Sequence, residues 1–178
     1  DSPDASVVVL RDGDPGGVLS QLGSATTASA LWQGRQHLVV ELADSDRYTL
    51  GALQVPAGCK LTLRAQSLTC PLVKTSEVTQ VVSVGDGATL ILEGLLIAGT
   101  MALQPLAGSP ATSSASVVLH HSTLVPGVLV TESGSAQQPE APAISTTSDR
   151  ASFAVSVQLT RSICGPLELA QGDSVVAC

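Results

Sequence analysis

The chain of 178 residues is long enough for one domain with a sizeable core, yet it holds one Phe, one Trp and one Tyr, so Val, Leu, Ile and Ala must fill that core. Its net charge of −7 argues against nucleic acid and anionic membrane surfaces as partners, and no run of eighteen apolar residues is present to span a bilayer. Charged residues are only 13%, about half the usual share, and the scarcity of aromatic faces suits a carbohydrate cleft or a single-stranded nucleic-acid platform poorly.

The N-terminal "DSPDASVVVL" has neither an initiator Met nor a basic segment followed by an apolar one. It is not a signal peptide, and the expectation is a chain that begins inside, or after processing of, a longer product. "RDGDPGG" (11–17) is a turn cluster and "GGVLSQLGSATTASALWQG" (16–34) suits a short helix. Residues 1–36 are therefore expected to form an irregular N-terminal cap that covers an open sheet end. "HLVVELADSDRYTLGALQV" (37–55) reads as two strands joined at "ADSD", where Asp44, Ser45 and Asp46 make a capped turn before Arg47.

Four segments then share one pattern: "KLTLRAQSLTCP" (60–71), "TLILEGLLIAG" (89–99), "SVVLHHSTLVPG" (116–127) and "SVQLTRSICGP" (156–166). Leu63, Leu92, Leu119 and Leu159 fall in one column, and Leu61, Leu90, Val117 and Val157 in a second column two residues earlier. A period of two is that of a strand with alternate residues facing one core. Ile97, Leu124 and Cys164 make a later column, which the first segment fits only with a slip of about one residue. The columns recur at spacings of 29, 27 and 40 residues. The long last interval contains "TESGSAQQPEAPAISTTSD" (131–149), whose Ser, Gln and Pro content reads as an extruded loop. A repeat in the twenties with short strands and Gly/Pro corners is the signature of a β-solenoid. The closing "QGDSVVAC" ends on a strand-like run, as a fragment or trimmed domain would.

"GATLILEGLLIAG", "VVLHHSTLVPG", "LTRSICGPLEL" and "GDSVVA" resemble the coils of large bacterial right-handed parallel β-helix proteins of the pectin-lyase-like kind. Those carry repeated elements of the type L-x-L-x-G-L-x-I-x-G, L-x-H-x-T-L-V-P-G and R-S-I-x-G-P-I, and are associated with phage-tail-like, contractile-injection gene clusters. The resemblance covers roughly residues 37–178. It implies an all-β, right-handed parallel β-helix of about four to five coils, capped by residues 1–36, and it speaks to architecture more than to activity.

The candidate chemistry centres on "LHHST": His120, His121, Ser122 and Thr123. Neighbours on a strand point to opposite faces, so His120 and His121 bind one ion only if the chain turns there, with Glu93 the sole third ligand in register. A Ser122 nucleophile would need an orienting carboxylate and an oxyanion hole, and neither is visible. The outward columns read Arg64, Glu93, His120, Thr160 and then Ala65, Gly94, His121, Arg161; no carboxylate pair of the kind glycoside hydrolysis needs appears in either. Cys59, Cys70, Cys164 and Cys178 lack the close pairs of a zinc site. A Cys59–Cys70 disulfide is the alternative to four small buried hydrophobes, and the latter reading is preferred. The expectation is thus a non-enzymatic structural or interaction module, with no catalytic, metal or cofactor site. Its partners would be proteins of a larger extracellular or tail-like assembly. The rival expectation is a carbohydrate-binding or polysaccharide-degrading β-helix whose catalytic groups lie outside this stretch.

Overall fold

The computed structural model describes residues 5–23, 30–110, 112–126, 133–135, 140–146 and 153–177. Strand accounts for 56% and helix for 5%, so the all-β expectation holds. In chain order the strands are β1 (Ala5–Leu10), β2 (His37–Leu42), β3 (Arg47–Leu50), β4 (Leu53–Val55), β5 (Lys60–Ala65), β6 (Leu72–Val84), β7 (Ala88–Glu93) and β8 (Leu96–Pro105). They continue with β9 (Ser113–His120), β10 (Thr123–Val125), β11 (Ile144–Thr146), β12 (Phe153–Thr160), β13 (Ile163–Cys164), β14 (Leu167–Glu168) and β15 (Ser174–Ala177).

Two sheets result, and every strand pairing in them is parallel. Sheet A runs β1-β2-β5-β7-β9-β12-β15. Sheet B runs β13-β10-β8-β11-β14, with β6 joining β8 to β3 and β4. From β2 onward, one or two strands of sheet B lie between successive strands of sheet A, which is how residues 18 to 40 apart in the chain come to lie side by side.

The sequence columns are the register of sheet A. Leu61 pairs with Leu90, Leu90 with Val117 and Val117 with Val157, while Leu63, Leu92, Leu119 and Leu159 pair in the same way. All but the half-buried Leu159 are fully buried. Each such leucine, removed from water, stabilises the fold by about 1.5–3 kcal/mol. The core continues into sheet B through Val73, Ile97 and Leu124.

Several local expectations are corrected. The slip in the first segment is five residues, not one: Ile97 pairs with Val73, whereas the corner spacing of the later repeats would have selected Leu68. Residues 66–71 absorb the difference by bulging out, with Leu68 left-handed (φ 69°) and wholly exposed. Residues 1–36, read as an irregular cap, contribute β1 to the edge of sheet A, and their Leu19, Leu22 and Trp32 are buried in the core. Within 131–149, Ile144–Thr146 is strand β11 rather than loop. It pairs with β8 and β14, and Ala143 and Ile144 are buried; most of the remainder of that segment lies outside the described residues. Cys70 is exposed, Cys59 and Cys164 are half-buried, and all three are free thiols; Cys178 lies outside the described residues. Cys70 escapes burial because it sits in the bulge at 66–71.

Candidate functional site

The side chains with chemical capability gather on the outward face of sheet A. Along the strands, residues alternate between core and solvent, so core positions such as Val40 are flanked by outward rows that run across the strands. One row reads Glu41, Arg64, Glu93, His120, Thr160. The order from Arg64 onward is the one the sequence implied. Glu41 is the residue sequence reasoning missed, and with it the expectation of no carboxylate pair is overturned. Glu41 and Glu93 stand in one row on either side of Arg64. The signal was present in "HLVVEL" against "KLTLRA", where Leu38 matches Leu61 and Glu41 matches Arg64.

Arg64 is committed to one of the two carboxylates. Its Nη2 lies 2.8 Å and its Nε 2.9 Å from Glu41 Oε2. Glu93 is exposed and has no hydrogen-bond or ion-pair partner among the described residues. Glu41, Arg64 and Glu93, with the bulge residues Gln66 and Ser67, line an open polar depression beside the row.

A second row begins with His37, beside Lys60. The His37 ring nitrogen Nε2 lies 3.0 Å from Thr62 Oγ1, while Nδ1 is buried without a partner. Burial first, and then the positive charges of Lys60 and Arg64, pull its pKa below the ordinary 6.5, favouring the neutral ring.

The "LHHST" corner is organised by its serine. His121 takes a left-handed conformation (φ 48°), as do its equivalents Gly94 (φ 70°) and Arg161 (φ 50°). The chain therefore turns at His121, the condition under which the two histidines could face one ion. The rings stand edge to face with centroids 6.5 Å apart, His120 half-buried and His121 exposed. Glu93 is the register neighbour of His120, yet among the described residues no three His, Cys, Asp or Glu side chains are placed to hold a metal ion. Ser122 is 2% exposed. Its Oγ accepts the Leu95 N–H (3.2 Å), and its hydroxyl proton is offered to His120 O (2.9 Å) or Leu92 O (3.1 Å). Ser162 repeats the device one strand further: it accepts the Ser122 N–H (3.1 Å) and donates to Thr160 O (3.0 Å). Ser122 is thus a backbone clamp at a tight corner, its hydroxyl buried and engaged with main-chain groups. Thr123 belongs to β10 and pairs with Leu96 and Ile163.

A third polar centre lies between the two sheets near the N-terminal end. Tyr48, fully buried, donates to Asp44 Oδ1 (2.6 Å), whose carboxylate also accepts the Asp12 and Asp46 N–H groups. The expected turn at Asp44-Ser45-Asp46 is therefore present, and it also clasps the loop after β1. The Tyr48 hydrogen bond, then that of Asp12, holds the Asp44 pKa below its ordinary value, while burial and Asp44 raise that of Tyr48.

Among the described residues no helix is long and apolar enough to cross a membrane. No family model matches the chain, and neither a curated protein nor a solved structure was found to be similar to it.

Proposed function

We propose that the chain is a right-handed parallel β-helix of the pectin-lyase-like kind, each repeat winding once, and that it serves as a non-enzymatic structural and interaction module in a phage-tail-like or secreted bacterial assembly. The observation that carries this reading is the unbroken parallel register of the seven strands of sheet A. Stacked leucines in matching columns make a stiff rod, and rods of this kind present surfaces rather than enclosed clefts. The corner serines, which a hydrolase would employ as nucleophiles, are spent on backbone hydrogen bonds. The proposed hand and winding are tested by an experimental structure of the full-length protein; a left-handed path between successive strands of sheet A would refute them.

A second reading, polysaccharide degradation, is favoured by Glu41 and Glu93 on either side of Arg64. Two strand spacings separate their backbones by about 9.6 Å, near the upper end of the roughly 6.5–9.5 Å between carboxyls of inverting glycosidases. Against it, the Glu41 carboxylate is tied to Arg64 through both Nε and Nη2. Incubation with acidic and neutral polysaccharides, read by reducing ends and unsaturated uronate absorbance, decides between the two. The structural reading expects no turnover. Turnover that Glu41→Gln or Glu93→Gln abolishes would establish the second reading in its place.

A further inference from the structure

The outward row Glu41, Arg64, Glu93, His120 alternates in charge preference, acidic, basic, acidic, basic, at one residue per strand. Such a row is complementary to itself reversed. We infer that this face of sheet A is an isologous interface that docks a second copy of the chain, about a two-fold axis parallel to the strands and passing between β5 and β7.

That axis keeps each outward row opposite the same row of the other copy and reverses the order of strands. Arg64 then meets Glu93 of the second copy, and Glu41 meets its His120; both contacts occur twice, as two-fold symmetry demands. The groups left over within one chain are the ones this arrangement uses. Glu93 has no partner among the described residues, and Arg64 engages Glu41 through Nε and Nη2, leaving Nη1 unused. In the neighbouring row the half-buried Ile91 and Val118 offer the apolar contact, while Val39 (4% exposed) and Thr62 (7% exposed) are already largely covered within one chain. Val39 faces Val118 and Thr62 faces Ile91, all on one level of the sheet. In the remaining row Lys60 faces Thr89, so no like charges are opposed.

The alternative two-fold, with its axis along the stack of strands, reverses strand direction and sets Arg64 against Lys60. That juxtaposition of two cations disfavours it. Size is also adequate. Three outward positions on each of six strands, spaced about 6.6 Å along and about 4.8 Å between strands, give roughly 570 Å² per copy. Twice that exceeds the roughly 1,000 Å² expected of a biological interface.

Sedimentation of the full chain over a range of concentrations is the test. The expected result is a monomer–dimer equilibrium that weakens as salt is raised, because the outer pairs are screened. Glu93→Arg and Arg64→Glu should each be monomeric, the first opposing two arginines and the second two glutamates. An equimolar mixture of the two should recover the dimer, since each variant then offers what the other needs. Ile91→Lys, which leaves the Glu41–Arg64 pair intact, should also be monomeric, and it keeps the test decisive if Arg64→Glu does not fold. Lys60→Glu, facing Thr89, should dimerise as the parent does. Melting curves establish that each variant is folded. A parent that stays monomeric at every concentration overturns the inference. So does a dimer that survives Glu93→Arg or Ile91→Lys, or a mixture of folded single variants that fails to reassociate.

Discussion

Sheet A and sheet B are built from the same repeats and differ in regularity. Sheet A has seven strands of four to eight residues in continuous register. In sheet B the strands range from two to thirteen residues, β6 shifts register between Lys74 and Thr79, and β10 and β11 divide the work of a single strand against β8. The difference teaches where repetition is enforced. Sheet A stacks large aliphatic side chains on their equivalents, so a slip of one residue would turn every leucine outward. Sheet B is held by local devices, among them Gly99, whose φ of 140° and absent Cβ admit Thr75.

Removing one member of the leucine column should have the largest effect. Leu92→Ala leaves a cavity in a fully buried position and is expected to cost about 2–5 kcal/mol in chemical denaturation. A loss well below that range would mean that the column closes over the gap, making sheet A as accommodating as sheet B.

In sheet B the corresponding break is Gly99→Ala. A Cβ there would collide with Thr75 Oγ1 and lie 2.6 Å from its Cγ2. Backbone strain of about 1–3 kcal/mol adds to overpacking of similar size, and Thr75→Ala in the same chain should return part of the loss. No recovery would place the cost in the backbone alone.

Asp173 sharpens the comparison, because it serves both sheets. Its carboxylate accepts the Val155 N–H of sheet A (2.7 Å), the Thr146 hydroxyl of sheet B (2.7 Å) and the Ala170 N–H (2.9 Å). Asp173→Ala strands these donors and should cost about 1–3 kcal/mol, with hydrogen exchange accelerated in β11 and β12 together. Acceleration in one strand only would show that the two sheets open independently.

A smaller effect is expected from pH. The folded pKa of Asp44 lies below its ordinary value near 3.8, so its contribution is fully present above that value and is lost as pH falls through the lower, folded one. Asp44→Asn should therefore reduce stability at neutral pH and make the acid limb of the stability profile shallower. An unchanged acid limb would show that the clasp on Tyr48 does not depend on charge. His37 works in the same direction at higher pH, since its folded pKa is depressed. What stability the neutral ring contributes is present above pH 6.5 and declines as pH falls through the lower, folded value. The smallest effect belongs to His120→Gln with His121→Gln, expected to shift monomer stability by less than about 0.5 kcal/mol.

The legibility of the fold divides along the same line. Leu61, Leu63, Leu90, Leu92, Val117, Leu119, Val157 and Leu159 were readable because a period of two carried through four segments. The placement of β6 was not, because residues 66–71 carry no periodicity and a bulge of any length satisfies the sequence equally. β11 was hidden for a different reason: "IST" is three residues inside a polar stretch, and burial of Ile144 against β8 is a tertiary effect. In the polar row, His120, Glu93 and Arg64 followed from the leucine columns, while Glu41 fell one repeat before the alignment began. One missing row position concealed both the carboxylate pair and the alternation of charge.

The parallel register has a kinetic consequence. Corresponding residues of adjacent strands in sheet A stand 23 residues apart between β2 and β5, 29 between β5 and β7, 27 between β7 and β9 and 40 between β9 and β12. No strand of this sheet has a hydrogen-bonding neighbour close by in the chain, so nothing like a hairpin can nucleate it. During synthesis at about 5–20 residues per second, β7 waits seconds with an open edge until β9 has left the ribosome. The delay is longest before β12, where the 40-residue interval must emerge first. Assembly at the ribosome then proceeds by addition of whole repeats to a growing edge, and the interval before β12 is where a pause or a wrong partner does most harm.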